Sequence, residues 1–226
     1  MKPALSIIVP VLDEAAGIEA TLRALAPLRA RGVELIAVDG GSRDATPALA
    51  APWVDRLLTS APGRARQMNA GAAVARGDVL LFLHADTRLP ADADALIRRA
   101  LDSGARWGRF DVRIDSRHPL LPLVATLMNA RSRWSGIATG DQAIFVRRPD
   151  FERLGGYPEQ PLMEDVELSA RLRAACGRPA CLREPVLTSG RRWDARGLWR
   201  TIWLMWRLRW RYWRGESPAV LAEAYR

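Results

Sequence analysis

At 226 residues, 49% of them hydrophobic and with no low-complexity stretch, the chain has the size and composition of one packed α/β domain and is too short for two independent ones. The formal net charge of +9 rests on arginine, Lys2 being the only lysine, and two thirds of the excess lies between Arg183 and Arg226. Arginine suits phosphates and lipid headgroups through its planar fork, but no nucleic-acid module accompanies it, so nucleic acid is not an expected partner.

Leu5–Val11 is a continuous apolar strand, and Ile18, Leu22, Leu25 and Leu28 then recur at helical spacing. Further strands are predicted at Leu35–Val38, Leu57–Thr59 and Val79–Leu83, with helices at Thr46–Ala50, Arg66–Ala75 and Ala91–Leu101. Continuous apolar strands alternating with helices imply a mostly parallel sheet flanked by helices, with ligands beyond the carboxyl ends of its strands. Asp13, Asp39 and Asp86 all follow strands and so converge on that edge. The second half is less regular: a strand at Trp107–Ile114, a helix at Leu120–Arg133, a short buried strand at Ala143–Val146 and an acid-led helix at Asp165–Ala175. No linker divides the chain, which reads as a single domain over 1–226. About 1–115 forms a nucleotide-binding half and about 116–226 an acceptor-side half.

Five short loops carry the chemistry. In VDGGSRDAT, Asp39 can accept hydrogen bonds from a base or ribose while Gly40 and Gly41 admit a close ligand; a helix-capping loop is the alternative. In GRARQMNAG, Arg64, Arg66, Gln67 and Asn69 can reach phosphate or sugar oxygens from a helix N-terminus, or form a solvated basic turn. In LFLHADT, Asp86 leaves a strand where a carboxylate can hold Mg²⁺ or Mn²⁺ across two phosphates, or can cap a helix. Glu164 and Asp165 open a helix, either as a general base beside an acceptor hydroxyl or as dipole-favoured acids. Asp141 and Gln142 add polar groups before a strand, and His118 lies in an exposed polar turn. GxGxxG is absent, which counts against an NAD-dependent enzyme. Cys176 and Cys181 lack CxxC spacing and read as reduced, structural thiols.

From Ser6 to about Trp213 this ordered set resembles the family 2 glycosyltransferases of GT-A fold, closest to a small bacterial subgroup of single-domain transferases. The resemblance implies that Pro10, Glu14, Asp39 and Gly41 hold the nucleotide, with Ala85 beside it in the metal loop. It implies that His84-Ala85-Asp86 is the metal and diphosphate loop, and that Glu164-Asp165 is the catalytic pair with Asp165 as base. It also implies a nucleotide diphosphate sugar donor, with uridine as its base, and inverting transfer to an acceptor hydroxyl. Two departures matter. An imidazole replaces the first acid of the metal loop, which favours Mn²⁺ over Mg²⁺. Arg192 and Trp193 only partly match the acceptor-side element of processive synthases, so transfer of single sugars is expected. A nucleotidyltransferase, or a non-catalytic nucleotide-sugar-binding protein docked on a membrane, is the alternative.

Trp199, Trp203, Trp206, Trp210 and Trp213 repeat at spacings of 4, 3, 4 and 3, which makes one tryptophan face on an amphipathic C-terminal helix. Leu204, Met205, Leu208 and Tyr212 make a second apolar face, and arginines flank the first. The arginines interrupt every window of about 20 residues, so a membrane span is not expected. The tryptophan face suits a membrane interface near a lipid-linked acceptor, core packing, or the seam of a homodimer. No signal peptide is recognisable at the N-terminus. The chain is therefore expected in the cytoplasm, with the Trp/Arg helix able to place it peripherally on the inner membrane face.

Overall fold

The computed structural model describes residues 4–225. Eight strands form one mixed sheet: β1 (Leu5–Val11), β2 (Glu34–Asp39), β3 (Arg56–Thr59), β4 (Val79–Phe82), β5 (Thr87–Arg88), β6 (Trp107–Asp115), β7 (Phe145–Arg147) and β8 (Ala180–Ser189). The spatial order is β3-β2-β1-β4-β7-β6-β8-β5. The first four are mutually parallel, β7 runs antiparallel to β4 and β6, β8 is parallel to β6, and β5 closes the edge antiparallel to β8. Helices α1 (Ile18–Ala24), α2 (Ala26–Ala30), α3 (Thr46–Ala50), α4 (Arg64–Val74) and α5 (Ala93–Asp102) belong to the first half. Helices α6 (Leu121–Ser135), α7 (Arg148–Arg153), α8 (Glu164–Cys176), α9 (Arg191–Arg196), α10 (Leu198–Trp213) and α11 (Pro218–Tyr225) belong to the second.

Strand periodicity divides the core into two layers. Ile7, Val9 and Val11 of β1 join Ile18, Leu22, Ile97 and Leu101 on one face, whereas Ile8 joins Ile36, Val38, Met68, Leu168 and Leu172 on the other. Helix α4 lies so close to the sheet that a Cβ on Gly71 would stand 2.5 Å from Ile8 Cγ2, so only glycine fits there.

The single helix expected from Ile18 to Leu28 is two helices broken at Leu25, because Pro27 lacks an amide hydrogen and crowds the preceding turn. β5 and β8 were not anticipated. In β8 a register shift opposite Phe110 and Asp111 pairs Leu182 and then Pro185, leaving Arg183 and Glu184 as a bulge that hides the alternation.

Candidate active site

The parallel register pairs Val11 with Asp39 and Ile8 with Phe82, so the loops after β1, β2 and β4 emerge side by side. Side chains sew the first two together. The Asp13 amide donates to Ser42 Oγ at 2.9 Å, the Glu14 amide to Thr46 Oγ1 at 2.8 Å, and the Arg43 amide to Asp13 Oδ1 at 2.7 Å. Asp13 itself takes a left-handed backbone, φ 52°, a conformation that aspartate tolerates better than most residues.

Beyond these loops opens a cavity of about 1520 Å³. Pro10, Glu14, Arg64, His84, Ala85, Asp86, Asp141, Glu164, Asp165, Arg192 and Trp193 all line it, so one wall carries most of the residues singled out from the sequence. Asp39, Gly41, Arg66, Asn69 and Gln142 are not among its lining residues. Asp39 is 4% exposed and accepts hydrogen bonds from the Gly41 amide and from the amide and hydroxyl of Ser42, so its carboxylate braces its own loop. Asn69 clamps Tyr157, donating to its carbonyl at 2.9 Å and accepting from its amide at 2.9 Å. Arg66 pairs with Glu159 on the surface at 3.3 Å. Gln142 is fully buried and ties its turn to Thr139 and to Asn129 of α6.

Within the cavity two of these loops touch. Gly140 donates its amide to Asp165 Oδ2 at 2.7 Å, and the His84 imidazole packs against Gly140 so closely that a side chain there would collide with Nε2. The Val166 amide donates to the other Asp165 oxygen at 2.7 Å. Met163, which precedes this pair, is held at φ 63°, and Ala143, which follows the Gly140 turn, at φ 48°. Neither is a residue that relaxes there by itself, so the surrounding packing holds both loop ends in place.

Burial, reinforced by the Asp165 charge and opposed by Arg64, pushes the Glu164 carboxyl up to about 7. Asp141 is also raised, first by burial. The half-buried His84 is pushed down to about 3 by desolvation and by the charges of Arg64 and Arg192, so its imidazole is neutral and free to ligate. Asp86 and His84 offer one oxygen-donor and one nitrogen-donor side chain. Among the described residues no third His, Cys, Asp or Glu completes a cluster with them. That pair fits a single divalent cation whose remaining positions are filled by phosphate oxygens, a donor set that suits Mn²⁺.

Two arginines that line the cavity escape a reading of the sequence. Arg191 reaches Glu14 at 3.0 Å and Asp86 at 3.7 Å, so it spans the mouth between the loops after β1 and β4. Arg131 of α6 lines the cavity, and its guanidinium has no hydrogen-bond partner among the described residues. The only sequence signal for it is the row Leu123, Leu127, Arg131, an apolar stripe that ends on a charge.

The opposite wall is apolar, built by α6 and α10. Leu208 of α10 is fully buried against Met163 and Leu221, and the Tyr212 hydroxyl donates to Glu167 of α8 at 3.0 Å. The tryptophan face turns away from the core: Trp199, Trp203, Trp206, Trp210 and Trp213 are 59–80% exposed, and all except Trp203 line the cavity rim. No helix among the described residues is long and apolar enough to cross a membrane.

Comparison with known proteins points the same way. The chain is 34% identical over 175 residues to a PGL/p-HBAD biosynthesis glycosyltransferase of Mycobacterium bovis, an alignment covering 69% of this chain and 63% of that one. It spans 46–63% of the length of this and two other curated relatives. Its fold is shared with the mannosyltransferase PcManGT from Pyrobaculum calidifontis, solved with GDP-Man and Mn²⁺, at a TM-score of 0.67 and 20% identity, over 100% of this chain and 69% of that one. It is shared also with S. aureus TarS 1-349, solved with UDP-GlcNAc, at 0.66 and 15% identity, over 82% and 58%. Residues 6–151 match the family described as Glycosyl transferase family 2, and the chain belongs to that family, with a GT-A fold.

Proposed function

We propose that the protein is an inverting glycosyltransferase that moves one sugar from a nucleotide diphosphate sugar, a UDP-sugar, to a hydroxyl of a lipid-linked acceptor at the cytoplasmic face of a membrane. The observation that carries this reading is the Asp165–Gly140–His84 contact, which brings a carboxylate next to the loop of His84 and Asp86 within one cavity. In this reading Asp165 takes the proton from the acceptor hydroxyl. The hydroxyl oxygen bonds to the anomeric carbon as the bond from that carbon to the diphosphate oxygen breaks. Arg64 and Arg192, which both act on His84, balance the charge that grows on the departing diphosphate. Asp86 and His84 would hold a divalent cation, Mn²⁺ in preference to Mg²⁺, which when bound would supply Lewis acidity to that leaving group. The nucleotide sugars bound by the structural relatives support the donor class.

The test is a thermal-shift panel of UDP, GDP, CDP and dTDP, each with and without Mn²⁺, followed by turnover. A diphosphate at about 100 times its Kd adds about 2.7 kcal/mol of stability. Asp165→Asn is expected to keep that shift while turnover falls by at least about 100-fold. A mutant retaining more than roughly a tenth of parental turnover would remove Asp165 from the role of base.

A further inference from the structure

Arg131 stands out among the arginines of its neighbourhood. Arg109 and Arg133 share the carboxylate of Asp111, and Arg109 also donates to the Asn129 carbonyl at 3.1 Å. Arg131 has no such partner: its Nε and both Nη atoms are buried and make no hydrogen bond among the described residues. A buried guanidinium left unpaired is costly, and native proteins rarely leave one so without a ligand to meet it. Asp141 and Asp165 favour its charge from a distance, although burial outweighs them and lowers its pKa. Arg64 and Arg192 both act on His84, and Arg192 shares the field of Asp141 with Arg131. Arg131 and Asp165 line the same cavity.

The surroundings give this cation a direction. Leu123 and Leu127 precede it on the same face of α6 at helical spacing, 56% and 59% exposed, and both line the cavity. Trp206 and Trp210 of α10, 76% and 59% exposed, line it as well. The result is an apolar trough whose lining includes a guanidinium without a hydrogen-bond partner among the described residues.

We infer that the acceptor is an anionic amphiphile whose charged group is held by the Arg131 guanidinium and whose hydrocarbon chain lies between α6 and α10. This deepens the transferase reading and rests on it for the word acceptor; the binding site itself can be tested independently. The intact protein is titrated with decyl phosphate below its micelle concentration, with decanol and with inorganic phosphate, following tryptophan fluorescence. Decyl phosphate is expected to bind at least about tenfold more tightly than either, the difference that a charge-assisted hydrogen bond confers. Arg131→Gln is expected to erase the preference over decanol at an unchanged thermal midpoint, and Arg131→Lys to retain part of it.

Equal binding of decyl phosphate and decanol by the parent protein overturns the inference. So does an undiminished preference in either folded variant that lacks the guanidinium fork. Inorganic phosphate binding as tightly as decyl phosphate would make this a free-phosphate site and overturn the amphiphile. Titration with UDP and Mn²⁺ separates the two readings: loss of nucleotide binding with the decyl phosphate preference intact removes the transferase proposal and leaves the anion site standing.

Discussion

Glu164 and Asp165 are adjacent in sequence yet differ in environment. Asp165 is served by two backbone amides, whereas Glu164 is 6% exposed and stands beside a like charge. Because the folded carboxyl of Glu164 titrates near 7, above its ordinary 4.5, the folded state holds its proton more tightly than the unfolded chain does. Stability from this group is thus full below about pH 4.5, falls through the interval to 7, and is lowest above it. Glu164→Gln is expected to flatten that interval and to raise stability at pH 8 by up to about 3 kcal/mol, read from urea unfolding at several pH values. Asn69 presents the opposite case, a polar residue of a basic loop that the fold spends on Tyr157. Asn69→Ala should cost about 1–3 kcal/mol of stability by orphaning that backbone, with no specific loss of nucleotide affinity once folded. The carboxylates at the strand ends were legible because parallel topology alone sends them to one edge. Arg131 was not, since only tertiary structure tells a solvated helical arginine from one sealed without a partner.

At the scale of elements, the strongly periodic helices and the buried strands could be read from the sequence, and the edge strands could not. β5 has two residues and β8 is bulged at Arg183 and Glu184, so neither offers an alternation to detect. For α10 the sequence left open which apolar face meets the domain. The structure packs Leu208 and its neighbours inward and leaves the tryptophans exposed, because the leucine face meets Met163 and Leu221 where α8 begins. An exposed stripe of tryptophan flanked by arginine is the composition of a helix seated in a lipid interface. The double variant Trp206→Ala with Trp210→Ala should weaken sedimentation with anionic vesicles by at least about tenfold, since each large side chain withdrawn removes about 1.5–3 kcal/mol of burial. Its affinity for nucleotide should stay as it was, because neither tryptophan belongs to the donor wall. Vesicle binding that survives this change intact would sink the interfacial role of α10.

Across the whole molecule, a polar wall at the strand ends faces an apolar wall of two helices, and Tyr212 ties the apolar wall to the helix that begins with Glu164 and Asp165. On the polar wall Arg191 bridges the loops after β1 and β4, shared between Glu14 and Asp86. The cavity thus brings its own counter-ions. A small monovalent anion from the buffer must compete against two carboxylates for one guanidinium, and it cannot satisfy the carboxylates it leaves behind. A ligand that arrives with several negative charges and an accompanying cation can exchange partners with all three groups at once. The bridge therefore favours a polyanion that brings its own cation over a lone monovalent anion, without a moving gate.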